Sequence, residues 1–190
     1  MPAPAHIHRF SSSKLRLRDG LLCSFLLIGV QPVWAQGAAV ADAAESSASL
    51  QPQGALSVQY RGSTTRLSAE QLAALPQRTT VTATPWTDGT SRFGGPLARD
   101  VLQAAGVRIT PGMKVEAQAL NGYTVSIPAQ AFQRWPVVLA FSMDGKALTR
   151  RDKGPLWLVY PRDNDAVLQD AKYDHRWAWQ LSQLLVSDAP

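Results

Sequence analysis

Cysteine is almost absent from this chain: of its 190 residues only Cys23 carries a thiol. Beyond residue 35, where a folded domain is expected, disulfides, thiolate metal sites and cysteine nucleophiles are therefore all excluded. Histidine is nearly as scarce there, because only His175 remains, and one histidine cannot build a metal site by itself. A Gly-x-Ser-x-Gly nucleophile elbow and a P-loop are also missing, so nothing supports serine hydrolysis or phosphate cradling.

The first 35 residues have the pattern of a secretory signal peptide. Basic residues between Arg9 and Arg18 precede an apolar run over 21–30, and a small-residue site ends at Ala35. We expect cleavage near Ala35 and a periplasmic or secreted protein; an uncleaved anchor is the alternative, although the apolar run is too short to span a bilayer. The basic segment lacks adjacent arginines, which favours the general secretory route.

Removal of the signal changes the charge balance. It takes four of the 19 basic residues and one of the 14 acidic ones, so the net charge falls from +5 to +2. No basic stripe with interleaved aromatic residues remains, so we expect no nucleic-acid partner, and no membrane span in the mature chain.

Beyond the signal, residues 36–54 are rich in Ala, Ser and Gln without periodicity and predict a disordered tether before one domain at 55–188. A capping box, Ser68 with Gln71, predicts a short helix, and Asn121-Gly122 predicts a hairpin. Strands outnumber helices, so we predict an α+β fold with a mixed, largely antiparallel sheet and a few short helices. Predicted strands cover 56–60, 80–84, 113–120, 123–127, 137–141, 156–160 and 181–186, with a second hairpin at 143–148.

The densest patch of specific chemistry lies at 80–106. A β-favouring run over 80–84 is followed by a polar loop and by a helix that we expect to begin at Pro96 and to end at Gly106. Ligands are often held where a strand passes through a polar loop to a helix N-terminus. A plain connection without a ligand is the alternative.

The same patch resembles a known family. Trp86, Gly95-Pro96-Leu97, Asp100-Val101-Leu102 and Gly106 are similar to the start of the oxidoreductase molybdopterin-binding domain, which has the fold of sulfite oxidase. The resemblance continues to about residue 186 through Asn121-Gly122-Tyr123 and Gly154-Pro155-Leu156. It implies this fold and, if the family role is retained, molybdopterin as cofactor.

Three positions depart from what the resemblance implies. The family's molybdenum-binding cysteine, four residues before the tryptophan, is Thr82 here, and a hydroxyl is a poor substitute for a soft thiolate. The family's histidine before the Gly-Pro pair is Lys153, and its arginine after Pro-Leu is Trp157. Together these departures predict that the metal site is lost.

We therefore predict an exported, ligand-binding, sensing or accessory module without a metal or other cofactor. Its partner would be a small anionic or planar ligand, or a periplasmic protein. Trp86 and one of Trp177 or Trp179 are expected to wall a pocket. The predicted ligand-binding residues are Thr82, Trp86, Arg92, Asn121, Tyr123, Lys153, His175 and Arg176.

Several alternatives stay open. One is a molybdopterin-dependent oxidoreductase in which Thr82 or water completes the metal's coordination. Another is a purely structural domain, which is favoured if Trp86, Lys153 and Arg176 do not line a pocket. His175 could equally be a surface histidine, and the carboxylates at 163–174 are expected to form a solvated loop because they lack the spacing of a calcium site.

Overall fold

The fold is taken from a computed structural model, which describes residues 52–188. The predicted signal peptide and residues 36–51 of the predicted tether lie outside this range. In chain order the strands are β1 Leu56–Tyr60, β2 Ser63–Leu67, β3 Gln77–Ala83, β4 Thr90–Pro96, β5 Lys114–Ala119, β6 Thr124–Pro128, β7 Val138–Ala140, β8 Ser142–Met143, β9 Lys146–Ala147, β10 Trp157–Val159 and β11 Leu181–Ser187. The α-helices are α1 Ala69–Ala74, α2 Ala98–Ala104 and α3 Ala131–Arg134.

The strands form three sheets. A five-stranded sheet has the order β2-β1-β11-β5-β6, in which only the β1–β11 pair is parallel. A four-stranded antiparallel sheet has the order β3-β4-β8-β9, and β7 pairs with β10. The predicted α+β class with a mixed, largely antiparallel sheet is confirmed. None of the helices between residues 52 and 188 is long and apolar enough to cross a bilayer.

Two local predictions hold in atomic detail. Ser68 caps α1, since its Oγ accepts from the Gln71 backbone N at 3.3 Å while its own N donates to Gln71 Oε1 at 2.8 Å. The β5–β6 hairpin turns at Asn121-Gly122, where Gly122 has a φ of 84° that glycine adopts without steric cost. The expected strand at the chain's end is β11, which lies at the centre of the larger sheet.

The chain between residues 60 and 100 differs from the sequence-based expectation in two ways. Ser63–Leu67, for which no element is predicted, forms β2 against β1. Thr90–Pro96, expected as a loop and helix start, forms β4, so Pro96 ends a strand and the helix begins at Ala98. Gly95 explains the strand: a Cβ there would collide with the backbone carbonyl of Leu139, so the glycine permits close strand approach rather than a helix start.

Aromatic side chains dominate the core where the smaller sheets meet the C-terminal segment. Phe93, Trp157, Tyr160 and Trp177 are each at most 2% exposed. The ring of Phe93 meets Trp157 edge-on, with 5.2 Å between centroids, and Trp177 lies within 6.4 Å of both Trp157 and Tyr160. Trp177 of this cluster also lines a cavity at the protein surface.

Candidate functional site

Three separate segments meet around a surface cavity of about 320 Å³, which we call the tryptophan cavity. They are the loop after β3, the β5–β6 hairpin and the segment before β11. The side chains that matter for its chemistry are those of Trp86, Asn121, Tyr123, Asp174, Trp177 and Trp179, with His175 at the rim. Residues from distant parts of the chain are therefore brought together here.

Three tryptophans, Trp86, Trp177 and Trp179, form the apolar walls of the cavity. Trp86 and Trp179 have ring centroids 4.9 Å apart and planes 79° from parallel, and Trp86 lies 6.3 Å from Trp177 at 63°. Trp86 remains 37% exposed, so part of its side chain is open to solvent. The backbone N of Trp86 donates to Thr84 Oγ1 at 3.1 Å, which fixes the start of the loop.

The β5–β6 hairpin supplies the polar wall. Its turn is held by Asn121 Oδ1, which accepts from the Tyr123 backbone N at 3.0 Å. Leu120 N donates to the Gln180 carbonyl at 2.8 Å and so ties the hairpin to the chain that carries Trp179. Tyr123 is 51% exposed, so its ring is available to a ligand.

Asp174 and His175 lie in a 3-10 turn, Ala171–Arg176, whose first residues are capped by Asp170. The Asp174 Oδ1 atom is buried without a hydrogen-bond partner, and no cation in residues 52–188 approaches its carboxylate within 4.0 Å. His175 is exposed. Asp174 was expected only as part of a solvated loop, and its neighbours His175 and Trp177 were the available signal that it lies at a site.

Thr82, the position of the family's metal-binding cysteine, lies outside the cavity and is fully buried. Its Oγ1 accepts from the Asp163 backbone N at 3.2 Å and donates to the Ala83 carbonyl at 3.2 Å. Asp163 in turn accepts from the Ala83 backbone N at 2.7 Å. Thr82 thus joins β3 to the 3-10 turn at Arg162–Asn164, and its hydroxyl has no access to a ligand.

Trp157, the position of the family's arginine, is part of the aromatic core. It is fully buried, and its Nε1 donates to the Trp177 carbonyl at 3.2 Å. Burial raises the pKa of the nearby Tyr160 phenol, an effect that the positive charge of Arg176 partly offsets. The indole of Trp157 therefore occupies the space where the resemblance implies a cation.

The remaining predicted residues do not line the cavity. Arg92 is exposed on β4, and its backbone N donates to Asp144 Oδ1 at 2.7 Å. The Lys153 Nζ lies 5.5 Å from the Trp157 ring centroid, and the Arg176 Cζ lies 4.6 Å from that of Tyr173.

The structure thus brings together half of the predicted ligand-binding residues: Trp86, Asn121, Tyr123 and His175. Both Trp177 and Trp179 line the cavity, where one was expected. Lys153 and Arg176 do not line the cavity, which supports the alternative of a purely structural domain. The presence of a cavity beside Trp86 supports ligand binding.

The residues present do not fit a molybdenum ion. Thr82 offers neither a thiolate nor a free hydroxyl, and Trp157 cannot replace the charge or the hydrogen bonds of an arginine. No reaction step can therefore be derived through that metal from this arrangement of side chains.

Comparison with known proteins agrees with the fold. The profile of the oxidoreductase molybdopterin-binding domain matches residues 55–164, more than half of the chain. No curated protein sequence matches. The crystal structure of the sulfane dehydrogenase SoxCD from Paracoccus pantotrophus is similar, with a TM-score of 0.55 and 20% identity over 72% of this chain. The match spans only 39% of that longer chain, and at this identity it shows the fold alone.

Proposed function

Because this chain belongs to the oxidoreductase molybdopterin-binding domain family, we propose that it is an exported member that binds a small ligand and holds no molybdenum. In this role it acts as a sensing or accessory module of the periplasm or the extracellular space. The chain keeps the fold of the family. Thr82 and Trp157, at the positions of the family's metal-binding cysteine and arginine, are packed in the interior, and the cavity is lined by other residues.

The state of Thr82 is the observation that carries the proposal. A metal ligand needs a free lone pair and an open approach, but this hydroxyl is buried between two backbone partners. Sulfur is the ligand type that suits molybdenum in this family, and no cysteine follows residue 23. Trp157 supports the same conclusion, because its indole fills the place of a charged side chain.

The ligand-binding part of the proposal rests on the tryptophan cavity. Its volume lies at the lower end of the range for small-molecule sites, about 300–1,000 Å³. Aromatic walls with a few polar groups are the usual lining of such sites. Export rests on the basic segment and apolar run of residues 9–35.

Elemental analysis tests the absence of molybdenum. The protein is purified from the exported fraction of its own host, grown with ample molybdate, and its metal content is measured by mass spectrometry. We expect less than about one molybdenum per ten chains. Stoichiometric molybdenum would overturn the proposal and establish the alternative, a molybdopterin-dependent oxidoreductase with atypical ligation, which family membership favours.

A pair of variants distinguishes loss of the metal-binding sulfur from loss of the whole cofactor pocket. Thr82→Cys restores the thiol, and Thr82→Ser is the matched control that keeps a hydroxyl. If the core has closed around Trp157, neither variant gains molybdenum. Molybdenum in Thr82→Cys alone would show that a cofactor pocket survives and that only its sulfur ligand was exchanged.

A further inference from the structure

The tryptophan cavity combines aromatic faces with a carboxylate, and this combination points to the charge of its ligand. We propose that it binds a small organic cation, such as a quaternary or tertiary ammonium compound. The inference rests on the proposed ligand-binding function and names the ligand class of that same site. It departs from the anionic ligand that Lys153 and Arg176 suggested.

The first step is the charge of the lining. Asp174 contributes a carboxylate with no cation within 4.0 Å among residues 52–188, and one of its oxygens is buried without a partner. No lysine or arginine lines the cavity, and His175 at the rim is its single basic side chain. A negative charge left uncompensated beside a low-dielectric wall favours a positively charged occupant.

The second step is the arrangement of the rings. Trp86 and Trp179 meet edge to face at 79°, so the two indoles line the cavity at nearly a right angle to each other instead of forming one flat stack. Tyr123, half exposed on the hairpin, adds a third aromatic surface to the lining. Ammonium groups bind against the faces of such rings, most strongly against tryptophan, and aromatic cages are the recurring site for methylated ammonium.

The third step concerns the protein's own cations. Lys153 and Arg176, the two cations among the residues predicted to bind a ligand near Trp86, lie over the rings of Trp157 and Tyr173 and do not line the cavity. The lysine and arginine side chains thus do not line the cavity, whereas Asp174 does. A small cation is the ligand that restores neutrality there.

Choline and its neutral isostere 3,3-dimethyl-1-butanol provide the decisive comparison, because they share a shape and differ in charge. Both are titrated into the purified wild-type protein by calorimetry at pH 8. We expect choline to bind at least about tenfold more tightly than the alcohol, and tetramethylammonium to compete with it. Equal binding of the two, or no binding of choline at about 10 mM, would overturn the inference.

Variants locate the site. Asp174→Asn and Trp86→Ala should each weaken choline binding at least about fivefold, whereas Asp100→Asn, which removes the same charge away from the cavity, should leave it unchanged. Circular dichroism confirms that each variant is folded. Unchanged affinity in both cavity variants would contradict the assignment.

Molybdenum is measured in the same preparation. Stoichiometric metal would overturn the proposed function itself. Metal-free protein that binds sulfate or the neutral alcohol in preference to choline would retain the binding function and refute only the cationic ligand.

Discussion

Trp157 offers the sharpest test of the idea that packing has replaced a charged pocket. Its indole is fully buried against Phe93 and Trp177, and its Nε1 donates to the Trp177 carbonyl. Replacement by phenylalanine keeps a ring but removes the donor, which costs about 1–3 kcal/mol for a buried carbonyl left without its partner. Replacement by leucine removes more volume, and large-to-small changes of this kind cost about 3 kcal/mol.

Arginine is the informative replacement, since it is what the family resemblance implies at this position. In an aromatic core an arginine without a counter-ion costs several kcal/mol for its buried charge, in addition to about 3–5 kcal/mol for the lost tryptophan. The sum approaches the whole stability of a domain, about 5–15 kcal/mol. We therefore expect losses of unfolding free energy in the order phenylalanine, leucine, arginine.

Urea unfolding followed by far-ultraviolet circular dichroism measures this series. With a denaturant slope of about 1–3 kcal/mol per molar urea, Trp157→Phe should lower the midpoint by about 1 M, and Trp157→Arg should be largely unfolded without urea. The result that refutes the reasoning is Trp157→Arg more stable than Trp157→Leu. That order would mean that the interior still holds an anion or water able to receive the guanidinium, as a cofactor pocket would.

Three further changes test the fold. Gly95→Ala places a methyl group against the Leu139 carbonyl and should cost at least about 3 kcal/mol in urea unfolding; a loss under about 1 kcal/mol would contradict the close approach. Ser68→Ala removes a helix cap and should cost about 1 kcal/mol, while an unchanged midpoint would show that the cap contributes nothing. The hydrogen bond that Trp135 Nε1 donates is the main cause that lowers the pKa of the Asp165 carboxyl from 3.8. The stability that this interaction contributes to the folded state is therefore present above pH 3.8 and is lost as the pH falls through the pKa of the folded state. Asp165→Asn should therefore flatten the acid limb of a plot of stability against pH, and an equally steep limb would refute that assignment.

Local sequence signals predicted those elements whose cause is local. Asn121-Gly122 and the Ser68 capping box each determine a turn or a helix start through a few neighbouring residues, and both are present in the structure. The strands β2 and β4 were missed because their stability comes from partners elsewhere in the chain. Gly95 shows this most clearly. A side chain there would collide with the backbone carbonyl of Leu139, forty-four residues later, and no local sequence pattern reveals that contact.

The site was predicted in part for a similar reason. Trp86, Asn121 and Tyr123 follow strands or a turn, so their common location could be anticipated from the fold that the resemblance implies. Within the 3-10 turn the direction of each side chain depends on the turn's geometry. Asp174 thus lines the cavity while Arg176 lies over Tyr173, although charge alone made the arginine the better candidate.

Trp157, one of the three departures from the family pattern, is physically connected to the tryptophan cavity. Trp157 donates a hydrogen bond to the Trp177 carbonyl and lies beside its ring, and Trp177 in turn forms part of the cavity wall next to Trp86. A tryptophan at 157 therefore fills the core and also supports Trp177, which lines the cavity. Since an arginine there would disturb both, the packing of the core and the shape of the tryptophan cavity depend on the same side chain.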